Sequence, residues 1–451
     1  MFTILIAGIL AAGLVQGPAP TPGSGTSRLR AEAGLGGFAR AGRWTPVRVE
    51  VDNADHDLDG EIVVEWGEAR VHRAVNIPAP SRTAIELYVR TGDVRGSMTV
   101  RLVSNGAPLS SVEIPIRILA DEERLVVCAG AGPSAAENGL PCTATVTPEA
   151  LPRSLRGYVA ADDVRLQPGA EARLTVAQRT ALQRWRAYRE LDAEGLLTQA
   201  PRAPLAGAVA TGVDRPTLVA AGIAVAALLW AAWIWTRSRG APLRAYAALA
   251  GAVMLGVVAA TVAGRFGPGA EIRLRHATTV QQVGDGSLVA MRATLGYPAS
   301  GAYAIRALRL DGELMPRAGA AEQWFDADGT PIRRGVFGRA AREQIDVDGV
   351  ADYAPFQVTV ENDIVRVHNR SDLPLTDCEF PEGFSETHAG QLAPGSSVSA
   401  RTVGAIAVPF FSCVMPEPPV AFSEARFPVR VEGTAIVSVK LPGQSRISAI
   451  E

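Results

Sequence analysis

The chain has 451 residues, of which 47% are hydrophobic and 20% charged, and its formal net charge is −2. That length can hold two or three domains, and the near-neutral balance excludes a nucleic-acid partner of the kind that a basic surface attracts. Lys440 is the only lysine, so arginine carries nearly all the positive charge, and with abundant Ala and Gly this marks a GC-rich bacterial coding sequence.

The apolar stretch FTILIAGILAAGLV (2–15) has the length of a secretory signal and is followed by the loop-like QGPAPTPGSGTS. Cleavage between Ala12 and Gly25 and retention of residues 1–25 as an anchor both fit, since no Lys or Arg precedes the run and no clean A-x-A site ends it. Residues 28–120 then alternate with the period of a strand. In TPVRVEV (45–51), Val47, Val49 and Val51 face one way while Arg48 and Glu50 face the other. AIELYVR, SMTVRLV and SVEIPIRI repeat the pattern, with PAPSR and SNGAP as turns, which predicts an antiparallel, immunoglobulin-like sandwich. DHDLDG (55–60) carries Asp55, Asp57 and Asp59 before Gly60, like the first half of a calcium loop. Its closing position is Trp66, where a calcium loop needs a bidentate glutamate, so a solvated hairpin turn is the expectation and no metal or other cofactor is predicted.

Residues 121–200 change character. RLVVCAGAG begins like a parallel strand, RGYVAADDV fits a second, and LTVAQRTALQRWRAYREL (174–191) has Leu174, Ala177, Ala181, Leu182 and Trp185 on one side of a helix, which together predict a small α/β segment. A linker (201–216) leads to two uncharged apolar runs, 217–236 and 245–264, long enough as helices to cross about 30 Å of hydrocarbon. Between them, residues 237–244 carry Arg237, Arg239 and Arg244, which the positive-inside rule assigns to the cytoplasmic side. Trp230, Trp233, Trp235 and Tyr246 gather at that end as a membrane-interface belt. The expectation is a transmembrane hairpin in the cytoplasmic membrane of a bacterium, with the lipid bilayer as partner and both large regions exported to the periplasm. Short strands return in residues 270–451, as one large sandwich or two small ones, with DADG and DVDG predicted as turns. The fold class expected is therefore mainly β: an exported sandwich, a truncated α/β segment, a two-helix hairpin and a C-terminal exported β region.

The four cysteines form two local pairs, Cys128 with Cys142 and Cys378 with Cys413. In an oxidising compartment each pair can close a disulfide contributing roughly 3 to 4 kcal/mol on the chain-entropy model; four buried thiols are the alternative. Neither pair has metal-ligand spacing, and the five histidines are scattered.

RLRAEAGLGGFARAGRWTPVRVEVDN, then RLVVCAGAG with Leu174, Gln178, Ala181, Leu182 and Trp185 in L-x-x-x-Q-x-x-A-L-x-x-W, then the apolar pair, resembles a class of uncharacterised bacterial membrane proteins. In that class a sandwich precedes a degenerate domain similar to class I glutamine amidotransferases, and the genes often neighbour MoxR-type AAA ATPases, so the resemblance implies protein partners in the envelope linked to such an ATPase. An amidotransferase cysteine needs a tight strand-to-helix turn and a nearby histidine. Cys128 has no G-x-C-x-G around it, and no histidine occurs between His72 and His276. CAGAGPSAA places Gly130 and Gly132 after a strand like a dinucleotide-binding turn, but Pro133 and NGLP leave no room for the helix that would hold a pyrophosphate. The function expected is a non-enzymatic envelope protein that presents interaction domains as a scaffold. The alternative is a membrane-anchored receptor or hydrolase with its site in the C-terminal β region.

Overall fold

The computed structural model describes residues 27–90, 96–130, 141–193, 271–317, 322–338, 341–404 and 409–441, together with Trp233. The first unit consists of β1 (Arg28–Ala33), β2 (Phe38–Arg40), β3 (Trp44–Asn53), β4 (Leu58–Trp66), β5 (Ala69–Ile77), β6 (Ser81–Arg90), β7 (Ser97–Ser104), β8 (Ala107–Pro115) and β9 (Arg117–Leu119). Alternation decides the faces: Val47, Val49 and Val51 are fully buried, and Arg48 and Glu50 look outward. The sheet β1-β3-β6 closes over β5-β4-β7-β8, and Ile62, Val64, Trp66, Val71 and Val100 fill the space between them. Asn105 (φ 51°) and Gly106 (φ 76°) supply the two left-handed residues of the tight β7–β8 hairpin.

The second unit is a parallel sheet in the order β11-β10-β12, made by β10 (Val126–Ala129), β11 (Ala144–Val146) and β12 (Asp163–Leu166), and covered by α1 (Val176–Ala193). The helix starts in a reciprocal cap. Gln178 Oε1 accepts from the Thr175 N–H at 2.9 Å, while Thr175 Oγ1 accepts from the Gln178 N–H at 3.3 Å. Leu174, Ala181, Leu182 and Trp185 then face the sheet, each at most 5% exposed. Cys128 and Cys142 are joined, tying β10 to the chain just before β11 across a Cα separation of 5.8 Å.

The C-terminal half comprises β13 (Ile272–Val283), β14 (Gly286–Gly296), β15 (Gly301–Leu308), β16 (Leu310–Pro316), β17 (Glu322–Phe325), β18 (Pro331–Phe337) and β19 (Arg342–Ala351). It continues with β20 (Phe356–Glu361), β21 (Ile364–Asn369), β22 (Leu375–Glu379), β23 (His388–Leu392), β24 (Ser397–Arg401), β25 (Phe410–Met415), β26 (Ala421–Ser423) and β27 (Val429–Lys440). One eight-stranded sheet, β16-β19-β14-β13-β27-β25-β22-β23, runs through this half and serves two cores. One lies against β15 and β18, and the other lies against β20-β21-β24, where the joined Cys378 and Cys413 link β22 to β25.

The halves share a sheet. The four-residue β17 pairs in parallel with β5, Glu322 opposite Arg70 through Phe325 opposite Arg73, which makes the order β26-β15-β18-β17-β5-β4-β7-β8 continuous. Phe325 is 6% exposed and completes the core of the first unit.

Two expectations need correction. Among the described residues no helix is long and apolar enough to cross a membrane, and α1 is amphipathic with a charged outer face. The transmembrane hairpin, and with it the envelope-membrane function and the inner-membrane placement that rested on it, is therefore not supported. Hydropathy measures what an apolar run could span as a helix, and no described element does so. The runs 217–236 and 245–264, with Arg237, Arg239, Arg244, Trp230, Trp235 and Tyr246, lie outside the described residues, as does the segment 1–25; Trp233 alone is described, helical and 50% exposed. The second correction concerns DVDG (346–349), predicted as a turn, which lies inside β19. Its glycine serves close packing: a Cβ on Gly349 would sit 2.5 Å from the Cα of Gly312 on β16.

Candidate functional site

The three units meet around Arg156. In PRSLRGY (152–158), the Ser154 hydroxyl accepts from the Arg156 N–H at 3.2 Å and caps a short 3-10 turn, Leu155–Tyr158. That turn pushes Arg156 inward until it is 1% exposed. Its guanidinium lies 4.4 Å from the Trp44 ring centroid and 5.0 Å from that of Tyr88, both on the first unit. Its Nη1 donates to Asp311 Oδ1 and to the Gly312 carbonyl, each at 3.2 Å, both on the C-terminal half.

A second knot lies beside it. The buried Glu313 accepts from Trp44 Nε1 at 3.3 Å and from Gln323 Nε2 at 2.8 Å. Arg90 reaches both Glu313, at 3.5 Å, and Asp348, at 2.8 Å. Burial pushes the Asp348 carboxyl above the ordinary carboxylate range, and the neighbouring Glu313 charge adds to the effect, while Arg90 opposes it.

The Arg156 knot borders a cleft of about 810 Å³ lined by all three units, within the size range of ligand sites. β6 contributes Glu86 and Tyr88, the second unit Arg153, Arg156 and Arg184, and the C-terminal half Arg309, Asp311, Phe325 and Asp328. Glu86 accepts from the Tyr88 hydroxyl at 2.5 Å and from the Arg153 N–H at 3.1 Å; burial nevertheless raises its carboxyl above the usual range. Burial drives the Tyr88 phenol far upward, so it is a donor at any working pH. Arg73 spans the joint between the halves, donating to the Glu86 carbonyl at 2.8 Å and the Ala327 carbonyl at 3.1 Å. Arg184 on α1 pairs with Asp285 at 2.7 Å and Asp352 at 2.6 Å.

Of the residues singled out from sequence, Ala177 and Ala181 on α1 line the cleft, and the candidates for chemistry sit elsewhere. Cys128 is 2% exposed in β10 and bonded to Cys142, so no thiol is present there to attack a substrate. Asp57 accepts from the Ala79 N–H at 2.9 Å and Asp59 from Asn76 Nδ2 at 2.6 Å, which makes DHDLDG a hydrogen-bonded hairpin. Among the described residues no group of three His, Cys, Asp or Glu is placed to hold a metal. Gln178 and Trp185 of the helix motif are docking residues: Gln178 Nε2 donates to the carbonyls of Pro148, at 3.1 Å, and Leu151, at 2.7 Å.

Arg156 and Arg309 were not singled out from sequence. Arg309 did leave a trace, because Tyr303, Ile305 and Ala307 point inward with period two, position 309 breaks that phase, and burial resumes at Leu310.

Residues 26–117 match a family described as a domain of unknown function, DUF8726. The match coincides with the first sandwich, about a fifth of the chain, and brings no activity with it. No curated protein matches the chain.

Proposed function

We propose that this is a binding protein and not an enzyme, and that its working surface is the cleft where the three units join. The observation that carries the reading is the composite lining: strand β6, the Ser154 turn with α1, and the corners before β16 and after β17 all contribute to one concavity. Its deepest lining is apolar, with Leu87, Leu155 and Phe325 each at most 6% exposed, and the rest is more charged than the lining of most small-molecule sites. The rim carboxylates and arginines are mostly engaged with one another, an arrangement suited to orienting a ligand. Cys128, the one candidate nucleophile, is sealed in a disulfide away from the cleft.

Thr180 lines the cleft from α1 and is half-buried, so Thr180→Trp should fill the space without entering the core. A ligand-observed NMR fragment screen tests the reading. Hits on the wild-type protein should vanish in the Thr180→Trp variant while its melting temperature stays within a few degrees. Hits that persist unchanged would place binding elsewhere and refute the proposal.

A further inference from the structure

Among the described residues, five that are not glycine hold a left-handed backbone: Asn105, Asn362, Asp363, Asp377 and Arg309. Asn and Asp tolerate that region because their short side chains bond locally; arginine has no such compensation, and glycine would sit there more easily. Arg309 (φ 62°) forms the corner between β15 and β16, where the chain passes from one eight-stranded sheet to the other. Its side chain is exposed, lines the cleft and makes no hydrogen bond or ion pair among the described residues. Backbone strain of this kind collects where a side chain is needed for something other than stability.

Arg153, on the second unit, is its counterpart. Its backbone N–H is held by Glu86 at 3.1 Å, while its exposed guanidinium makes no hydrogen bond or ion pair among the described residues. The other cleft arginines are engaged, Arg156 with Asp311, Arg184 with Asp285 and Asp352, and Arg73 with two carbonyls. The two carboxylates without an arginine ion pair do not call for a cation, since Glu86 takes the Tyr88 hydroxyl and Asp328 takes the Thr330 N–H at 2.9 Å. Arg309 and Arg153 thus line the cleft with no bonded partner for their guanidinium groups, Arg153 within electrostatic reach of Glu86, alongside the apolar Leu87, Leu155 and Phe325.

We propose that the cleft holds an anionic ligand with an apolar body, its carboxylate or phosphate group gripped by Arg309 and Arg153 and its body lying on Leu87, Leu155 and Phe325. The planar guanidinium fork matches either head group bidentately. This rests on the cleft being the binding surface, and adds the chemistry of what it binds.

Calorimetric titration of the full chain with octanoate, octyl phosphate, octanol and inorganic phosphate tests it. Both tailed anions should bind, with octanol and inorganic phosphate about tenfold weaker or worse, and the preferred head group identifies the natural one. Arg309→Gly should weaken the tailed anions by about tenfold while the melting temperature holds or rises, because the glycine relaxes the corner. Arg153→Ala should weaken them similarly with the melting temperature held, since it removes only an exposed side chain and keeps the backbone N–H that Glu86 accepts. Octanol binding as well as octanoate, wild-type affinity in both variants, or no binding of either anion would overturn the proposal. In the first case, loss of octanol binding in Thr180→Trp would leave the cleft standing as the binding surface.

Discussion

His276 shows how a single residue ties stability to pH. It lies on β13 at 2% exposure, with Nδ1 2.7 Å from Thr278 Oγ1, and burial pushes its imidazole down from 6.5 to about 4. The unfolded chain therefore binds the proton more readily than the folded one between those two values. Stability is fully present above the unfolded value and is lost as pH falls toward 4, by on the order of 3 kcal/mol. Glu86 and Asp348 act in the opposite sense, because their raised folded values mean that protonation on acidification favours the fold. Those two contributions are common to wild type and a His276→Gln variant, so the difference between the proteins isolates the imidazole. In urea titrations from pH 7 to 4.5, the wild type should lose stability relative to the variant; parallel profiles would show that His276 does not titrate as described.

At the scale of elements, local pattern was legible and long-range pairing was not. Alternation at Val47, Val49 and Val51 marked β3, Asn105–Gly106 marked a hairpin, and the apolar face from Leu174 to Trp185 marked α1. DVDG misled because a glycine after Asp signals a turn in most contexts, whereas here Gly349 admits β16 against β19. The two glycine environments make different predictions. Gly349→Ala would force β16 and β19 apart and should cost roughly 2 to 3 kcal/mol in chemical denaturation. Gly329→Ala, in the genuine DADG turn at φ 87°, meets first the flexible Arg73 guanidinium, at 3.4 Å from the new Cβ, and should cost about 1 kcal/mol. Equal losses at both sites would refute the packing role of Gly349. The candidate cleft was invisible for a related reason: its arginines are scattered along the chain at 73, 153, 156, 184 and 309, and only the tertiary fold gathers them.

At the scale of the molecule, three units behave as one body because a four-residue strand, EQWF, leaves the C-terminal half to lengthen the sheet of the first unit. So short a segment carries no periodicity from which its partner could be read, and the sequence alone had the sandwich and the C-terminal region as separate domains. The Arg156, Arg90 and Arg184 contacts then lock the joint, and Arg156 and Arg184 also line the cleft. Everything proposed about binding depends on that joint persisting in solution. Native-state hydrogen exchange, resolved at β5 residues Arg70–Arg73 and at β17 residues Glu322–Phe325, tests it most directly. The amides bonded between these two strands should exchange as slowly as those bonded between β4 and β5, since they belong to the same cooperative sheet. Fast exchange confined to the β5–β17 ladder, with the rest of both sheets protected, would mean that the halves part from one another, and would contradict it.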